Sequence, residues 1–377
     1  MSRPLHILCI IGTRPDALKM APVVLELRRF PDQVRTTLVA TGQHREMLQQ
    51  VLDVFDLRPD VDLAIMQARQ TLAQITCRAL EGLDPIFTRE RPDIVLVQGD
   101  TTTTFVASLA AFYHQVPVGH VEAGLRTDNR YDPFPEEINR RLTTALTTVH
   151  FAPTPAAVAN LRAEGVPAEA IHLVGNTVID ALLMVATRPY EETDPTLRAA
   201  LADGRRLALV TAHRRENLGE PLARICAAIQ RVVREHPDVQ CVFQMHRNPA
   251  VREVVTGALA AEPRVRLVEP QEYRAWVNLM KRCTLVLTDS GGIQEEAPAL
   301  GKPVLVMRET TERPEGIEAG TAELVGTQTA AIAAAAHRLL TDEEAYQRMA
   351  RAVNPYGDGH AAERICEVLL QKLGDAE

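Results

Sequence analysis

The chain has 377 residues, of which 46% are hydrophobic, and a net charge of -8. That length exceeds what one hydrophobic core organises, so two domains are expected, and the acidic balance excludes general nucleic-acid binding, which needs a basic face. No apolar run approaches the roughly 18 residues of a membrane span. Leu5–Ile11 is too short for a signal segment and is followed by Gly12-Thr13-Arg14-Pro15, so a cytoplasmic location is expected.

Apolar strand-like runs alternate with helical patterns, the mark of parallel sheets built from βαβ units. In the first half, strands are predicted at Leu5–Ile11, 36–41, 93–98, 116–121, Val149–Ala152 and 171–174, with helices including 16–29 and Leu72–Glu90. After a Pro- and acid-rich stretch, 188–195, the pattern restarts with strands at 207–212, 240–244, Val265–Val268, 284–288, 303–306 and 322–325, and a helix over the Ala-rich run 330–336. Two doubly wound α/β domains follow, with a boundary near 175–186. Ligands of such sheets bind beyond the carboxyl ends of the strands. The six cysteines (Cys9, Cys77, Cys226, Cys241, Cys283, Cys366) form no CxxC pair and are expected to be reduced and mostly buried, not metal ligands.

The first strand exits into Gly12-Thr13-Arg14-Pro15-Asp16. Gly12 permits a tight exit, Pro15 suits a helix start, and Arg14 is a phosphate-ligand candidate with Lys19 on the same face. The strand ending at Gln98 leads to Asp100, where a helix N-cap is expected. Glu122 lies at the tip of the next strand, and Glu136 and Glu137 open a helix, where acids suit the macrodipole and one of the two is expected to be purely structural. Asp100, Glu122 and Glu136 should converge on one rim. Crowded carboxylates push their proton affinities apart, which serves acid/base chemistry; with no further His at ligand spacing, that use is favoured over a metal site.

The second half supplies the anion side. One strand runs into His213-Arg214-Arg215 and another into His246-Arg247. The run Thr284–Gly301 reads as a buried strand, a turn at Asp289-Ser290-Gly291-Gly292, and a helix from Ile293 to Leu300. Two glycines at a helix start let backbone N–H groups approach an anion closely, and Glu296, about a turn further in, is placed to accept both hydroxyls of a ribose. The alternative for this stretch is a plain connection with a solvated Glu295-Glu296 pair. Gln271, following Glu269-Pro270, could offer backbone groups to a base edge, and Arg313 could close over a bound group.

The motifs GTRPDALKMAP, TGQHREML, VLVQGDTTTT, GHVEAGLRT, PFPEEINR, GNTVIDAL, TAHRREN, HRNP, LTDSGGIQEEAPALGKPVLV, TTERPEGIEAGT and NPYGDG occur in family order, and the chain resembles the non-hydrolysing UDP-N-acetylglucosamine 2-epimerases over nearly its whole length. The resemblance implies two Rossmann-like, doubly wound domains of the GT-B type with the active site in the interdomain cleft. Residues 1–178 would form the first domain, with a C-terminal helix over 358–377 crossing back, and 179–357 the second, UDP-binding one. It implies a homodimer without membrane or nucleic-acid partners and no cofactor or metal. The implied reaction interconverts UDP-N-acetylglucosamine and UDP-N-acetylmannosamine by eliminating UDP to 2-acetamidoglucal and adding it back.

Carried over residue by residue, the family pattern makes Asp100, Glu122 and Glu136 the acid/base carboxylates and sets His213 beside the leaving phosphates. Arg14 and Lys19 face the nucleotide-sugar; Gln271, Ser290, Gly291, Gly292, Glu296 and Arg313 hold UDP. Many members bind a second UDP-N-acetylglucosamine as activator, and the matching positions are Gln43, Glu46, Arg69, Arg214 and His246. Glu46 departs from the glutamine expected there, and Trp276 stands where relatives can carry Phe near the uracil. Hydrolysing relatives, a GT-B glycosyltransferase and a non-catalytic nucleotide-sugar sensor are the competing readings.

Overall fold

The computed structural model describes residues 3–42, 45–67 and 69–374; of residues 45–47 and 372–374 only the backbone is described. The apolar runs form two sheets in which every paired strand is parallel. The first, seven-stranded, holds β1 (Leu5–Ile11), β2 (Val34–Ala40), β3 (Val61–Asp62), β4 (Ile94–Gln98), β5 (Val118–Val121), β6 (Val149–Ala152) and β7 (Ile171–Leu173) in the order β3-β2-β1-β4-β5-β6-β7. The second, six-stranded, holds β8 (Arg206–Thr211), β9 (Val239–Gln244), β10 (Val265–Val268), β11 (Leu285–Thr288), β12 (Val304–Val306) and β13 (Ala322–Leu324) in the order β10-β9-β8-β11-β12-β13. Covered on both faces, the central strands are buried along their length, which is why they read as unbroken apolar runs. The strand order reverses between β1 and β4 in one sheet and between β8 and β11 in the other. Those reversals are where open α/β sheets bind ligands.

The chain forms two compact units. Residues up to Ala181 together with those from Tyr356 onward make the first, and Leu182–Pro355 the second. The return is anchored inside the first unit: the Asn176 N–H donates to the Tyr356 carbonyl at 2.7 Å and the Ala362 N–H to Asp180 Oδ1 at 2.8 Å. Helix Ala361–Gly374 then packs on helix Arg14–Leu27, burying Ile365, Cys366 and Leu369.

Several expectations change in detail. β3 has no counterpart in the sequence reading, because a two-residue edge strand leaves no period. The helix after β11 starts at Gly291 rather than Ile293, so both glycines lie inside it. The helix after β4 is capped by Thr101, whose side chain accepts the Thr104 N–H at 3.3 Å; Asp100 is not the cap. Five cysteines are buried as expected, with Cys77 exposed, and burial pushes the thiols of Cys9, Cys226, Cys241 and Cys283 up to about 12. No helix of the described residues is long and apolar enough to cross a membrane.

Candidate active site

In the first unit the turn after β1 is shaped by close packing. A Cβ on Gly12 would lie 2.1 Å from Thr103 Oγ1, so only glycine fits. Thr13 caps the following helix, Arg14 takes its first position, and Pro15 stands one residue later than the start predicted for it. Buried Asp16 accepts from the N–H groups of Gly12 and Thr13, both at 3.1 Å, and from the hydroxyls of Thr13 and Thr101 at 2.7 and 3.2 Å. It thereby ties the β1 turn to the β4 turn across the reversal point. Burial pushes this carboxyl up to about 6, against those hydrogen bonds, which pull it down.

The neighbouring register, Gln98 opposite Val121, sets Gly99 beside Glu122. Glu122 is buried with a left-handed φ of +65°, a conformation that costs a non-glycine residue roughly 1–2 kcal/mol and fixes where its side chain leaves the strand. Its Oε2 accepts from Gln98 Nε2 at 2.6 Å, and its Oε1 accepts from Asn176 Nδ2 at 3.2 Å and pairs with the Lys19 ammonium. Asp100 Oδ2 accepts from Arg140 Nε at 2.9 Å and Nη2 at 2.6 Å, while its carbonyl accepts from Asn139 Nδ2. Glu136, four residues before Arg140, shares that face of helix Glu136–Leu146. It is half-buried and makes no hydrogen bond or ion pair among the described residues. Glu137 is the structural member of the pair: fully buried, it pairs with Arg140 and Arg141 and accepts the Thr127 N–H.

The three carboxylates therefore differ by environment. Lys19 and Arg140 offset the repulsion expected between Asp100 and Glu122, leaving Glu136 as the one without a cation. His120, behind them, has its Nε2 2.7 Å from the Gly99 carbonyl; burial pushes it down to about 4, so it is neutral and Nε2 is the donor.

In the second unit Asp289, at the end of β11, is 0% exposed. Its Oδ2 accepts the N–H groups of His213 and Arg214, both at 2.8 Å, and Asn217 Nδ2 at 3.0 Å, which fixes the turn leaving β8. The His213 imidazole stacks on His246 with centroids 5.1 Å apart and 13° between planes. Arg214 donates to the Asp289 carbonyl and to Glu312 Oε1 at 2.8 Å, beside Gly291. Ser290 caps the helix Gly291–Ala299 by its backbone alone, its side chain making no cap bond, and nothing lies within 4 Å of where a Gly292 Cβ would be. At Gly291 a Cβ would meet Glu312 Oε1 at 3.0 Å and the Arg214 guanidinium at 3.5 Å, so this helix start is open on the Gly292 side.

Glu296, four residues beyond Gly292, lies on the same helix face, and its Oε1 accepts from the Tyr273 hydroxyl at 2.9 Å. Glu295 and Glu296 are buried, 3% and 7% exposed, so the pair is not the solvated one of the alternative reading. Arg313 makes an ion pair with Glu295. The Gln271 N–H is taken by Gln244 Oε1 at 2.9 Å, which leaves its carbonyl, not its N–H, for a base edge. Trp276 is buried on the Tyr273–Arg282 helix.

Of the activator positions, Arg69 belongs to the first unit and Arg214 and His246 to the second. Gln43 lies outside the described residues, as does the side chain of Glu46; Arg69 is exposed at φ +57° in the loop after β3. Arg214 and His246 both stand against His213. Sequence reasoning missed Arg140, Gln98 and Asn176 around the carboxylates, and Asp289 and Tyr273 in the second unit. Arg140 was readable as the i+4 partner of Glu136; the others depend on strand register.

Two Rossmann-type domains on one chain, each with polar groups gathered at its reversal point, place the protein in the GT-B class. Residues 26–370 match the family model for UDP-N-acetylglucosamine 2-epimerase, and the chain belongs to that family. It is 53% identical over 372 residues to the UDP-N-acetylglucosamine 2-epimerase of Bacillus subtilis, covering 99% of this chain and 97% of that one. The crystal structure of the Neisseria meningitidis UDP-GlcNAc 2-epimerase bound to UDP-GlcNAc is similar with a TM-score of 0.85 at 46% identity, covering 97% of this chain and 100% of that one. That of the Methanocaldococcus jannaschii enzyme in complex with UDP-GlcNAc and UDP gives a TM-score of 0.76 at 32% identity, covering 97% and 100%.

Proposed function

We propose that the protein reversibly epimerises UDP-N-acetylglucosamine and UDP-N-acetylmannosamine at C2 without net hydrolysis. The observation that carries this reading is the pairing, in one chain, of an open helix start at Gly291-Gly292 with three rim carboxylates in unlike environments. The first suits a pyrophosphate, with Glu296 taking the ribose hydroxyls and Gln271, Ser290 and Arg313 completing the nucleotide site. The second suits moving a proton on and off carbon. A sensor of nucleotide-sugars would need only the first.

Chemically, a carboxylate of the Asp100, Glu122, Glu136 set takes the C2 proton as the C1–O bond breaks. The C–H electron pair becomes the C1=C2 bond of 2-acetamidoglucal, and the C1–O pair leaves on the β-phosphate. Negative charge grows on that oxygen, where His213 and the helix N–H groups act; donors fixed in advance lower the barrier most where charge develops. Arg14 and Lys19 face the nucleotide-sugar from the first domain. Re-addition of UDP with a proton delivered to the opposite face gives the epimer.

Incubation in deuterated water tests this directly: deuterium at C2 of both epimers, with the total nucleotide-sugar conserved, is expected. Steady release of UDP and free sugar would assign the hydrolysing reaction instead. We also propose a homodimer and activation by a second UDP-N-acetylglucosamine using Gln43, Glu46, Arg69, Arg214 and His246. UDP-N-acetylmannosamine alone should then react only after a lag that added UDP-N-acetylglucosamine abolishes, since an activator must favour the active state to shift anything. A linear start from the pure epimer would remove activation.

A further inference from the structure

We propose that Asp289 is a positioning residue for His213, holding its imidazole so that Nδ1 carries the proton and Nε2 is presented outward to the reacting phosphate. This rests on the reading of His213 as the group beside the leaving pyrophosphate, and goes beyond it by assigning what sets that imidazole's tautomer and charge.

The two carboxylate oxygens of Asp289 do different work. Oδ2 is saturated by the backbone N–H groups of His213 and Arg214 and by Asn217 Nδ2, which also donates to the Met307 carbonyl at 3.0 Å. Oδ1 is buried, makes no hydrogen bond among the described residues, and lies 3.4 Å from His213 Nδ1. A buried carboxylate oxygen without a donor costs free energy, and that ring nitrogen is within reach of supplying one. A shift of about half an ångström would form a normal hydrogen bond. The other ring nitrogen, Nε2, is left for the ligand.

The surroundings make this carboxylate necessary. Burial pushes the His213 imidazole down; Asp289 opposes that, His246 and Arg214 add to it, and Glu216 opposes it. His246 stacks on the His213 ring, and its Nδ1 accepts the Asn248 N–H at 3.1 Å. Among the groups facing His213, then, Asp289 is the foremost that favours the imidazolium. A dianionic phosphate arriving at Nε2 would add to it, so that the imidazole takes up a second proton from solvent at Nε2 and donates it to the leaving oxygen where charge develops, while Nδ1–H stays on Asp289.

Asp289→Asn isolates the role. The amide oxygen of the new side chain can still accept the two backbone N–H groups and Asn217, which leaves its NH2 facing Nδ1 and imposes the opposite tautomer. The same replacement beneath a catalytic histidine elsewhere preserves geometry and costs about 10⁴ in turnover. Here kcat is expected to fall at least about 100-fold with UDP affinity within about threefold, and the His213 pKa, read by NMR of 15N-histidine, to fall. The double variant Asp289→Asn with His213→Gln should be no slower than His213→Gln alone, because one residue acts through the other. Near-full turnover in the single variant, or additive losses in the double, overturns the proposal. Should the variant fail to fold, the 15N shifts of the unaltered protein decide: a bare Nε2 in neutral His213 is expected, and a bare Nδ1 overturns it. That readout needs no turnover, so a wild-type protein that fails to exchange C2 would sink the epimerase reading and leave this one standing.

Discussion

The Tyr273 hydroxyl donates to Glu296 Oε1 at 2.9 Å, joining the helix after β10 to the helix that begins at Gly291. The bond fixes the carboxylate, so that receiving ribose hydroxyls costs less rotamer freedom on binding. Glu296→Ala should weaken UDP binding by about 1.5–3 kcal/mol, the value of charge-assisted bonds, or roughly 10- to 150-fold. Tyr273→Phe should cost only a few-fold, since the acceptor remains. Calorimetric titration with UDP measures both; equal affinities in wild type and a folded Glu296→Ala variant would remove the ribose assignment.

Because Thr101, not Asp100, caps the helix after β4, the two roles separate cleanly. Asp100→Asn should lose at least about 100-fold in turnover, the low end for acid–base catalysis, with a melting temperature close to wild type. Thr101→Ala should do the reverse, losing a cap worth about 1 kcal/mol. Thermal melts beside C2-exchange rates distinguish them; near-full turnover in Asp100→Asn would leave Asp100 with a structural role alone.

His120 gives stability a pH signature. Its folded pKa is depressed to about 4, below an unfolded value near 6.5. Its contribution is therefore complete above about 6.5 and is lost as the pH falls towards 4, because the unfolded chain takes up a proton that the folded one refuses. The loss amounts to at most about 3 kcal/mol. Asp16, raised to about 6, runs the other way: between about 4 and 6 the folded protein keeps a proton that the unfolded chain releases. His120→Gln, which can still donate to the Gly99 carbonyl, should thus retain more of its stability between pH 7 and 5 than wild type. Urea denaturation at both pH values measures it, and parallel losses would contradict it.

What could be read from the sequence was what the local period encodes. β1, β6 and β10 were predicted at their observed ends because unbroken apolar runs bounded by turns leave little choice. The expectation of a phosphate at Ser290-Gly291-Gly292 rests on two glycines at a helix start, which are expensive without a use, and both do lie in the first turn of that helix. The cap after β4 was misassigned by one residue, since Asp and Thr are both good caps and only the backbone decides between them. Asp289 was visible but read as part of a turn. Its meaning lies in the pairing of β8 with β11, Thr211 opposite Thr288, which sets it against His213 from 76 residues away. Lys19 on Glu122 and Tyr273 on Glu296 are of the same kind.

Elimination is the step on which the proposed chemistry turns, and it can be seen without isolating an intermediate. UDP-N-acetylglucosamine carrying 18O in the bridge between C1 and the β-phosphate should be incubated with the enzyme and followed by 31P NMR. If C1–O breaks and re-forms, the freed β-phosphate can rotate, and the label will move into non-bridging positions while the nucleotide-sugar is conserved. Epimerisation with the label held in the bridge would mean that C1–O never breaks, and would contradict elimination of UDP outright.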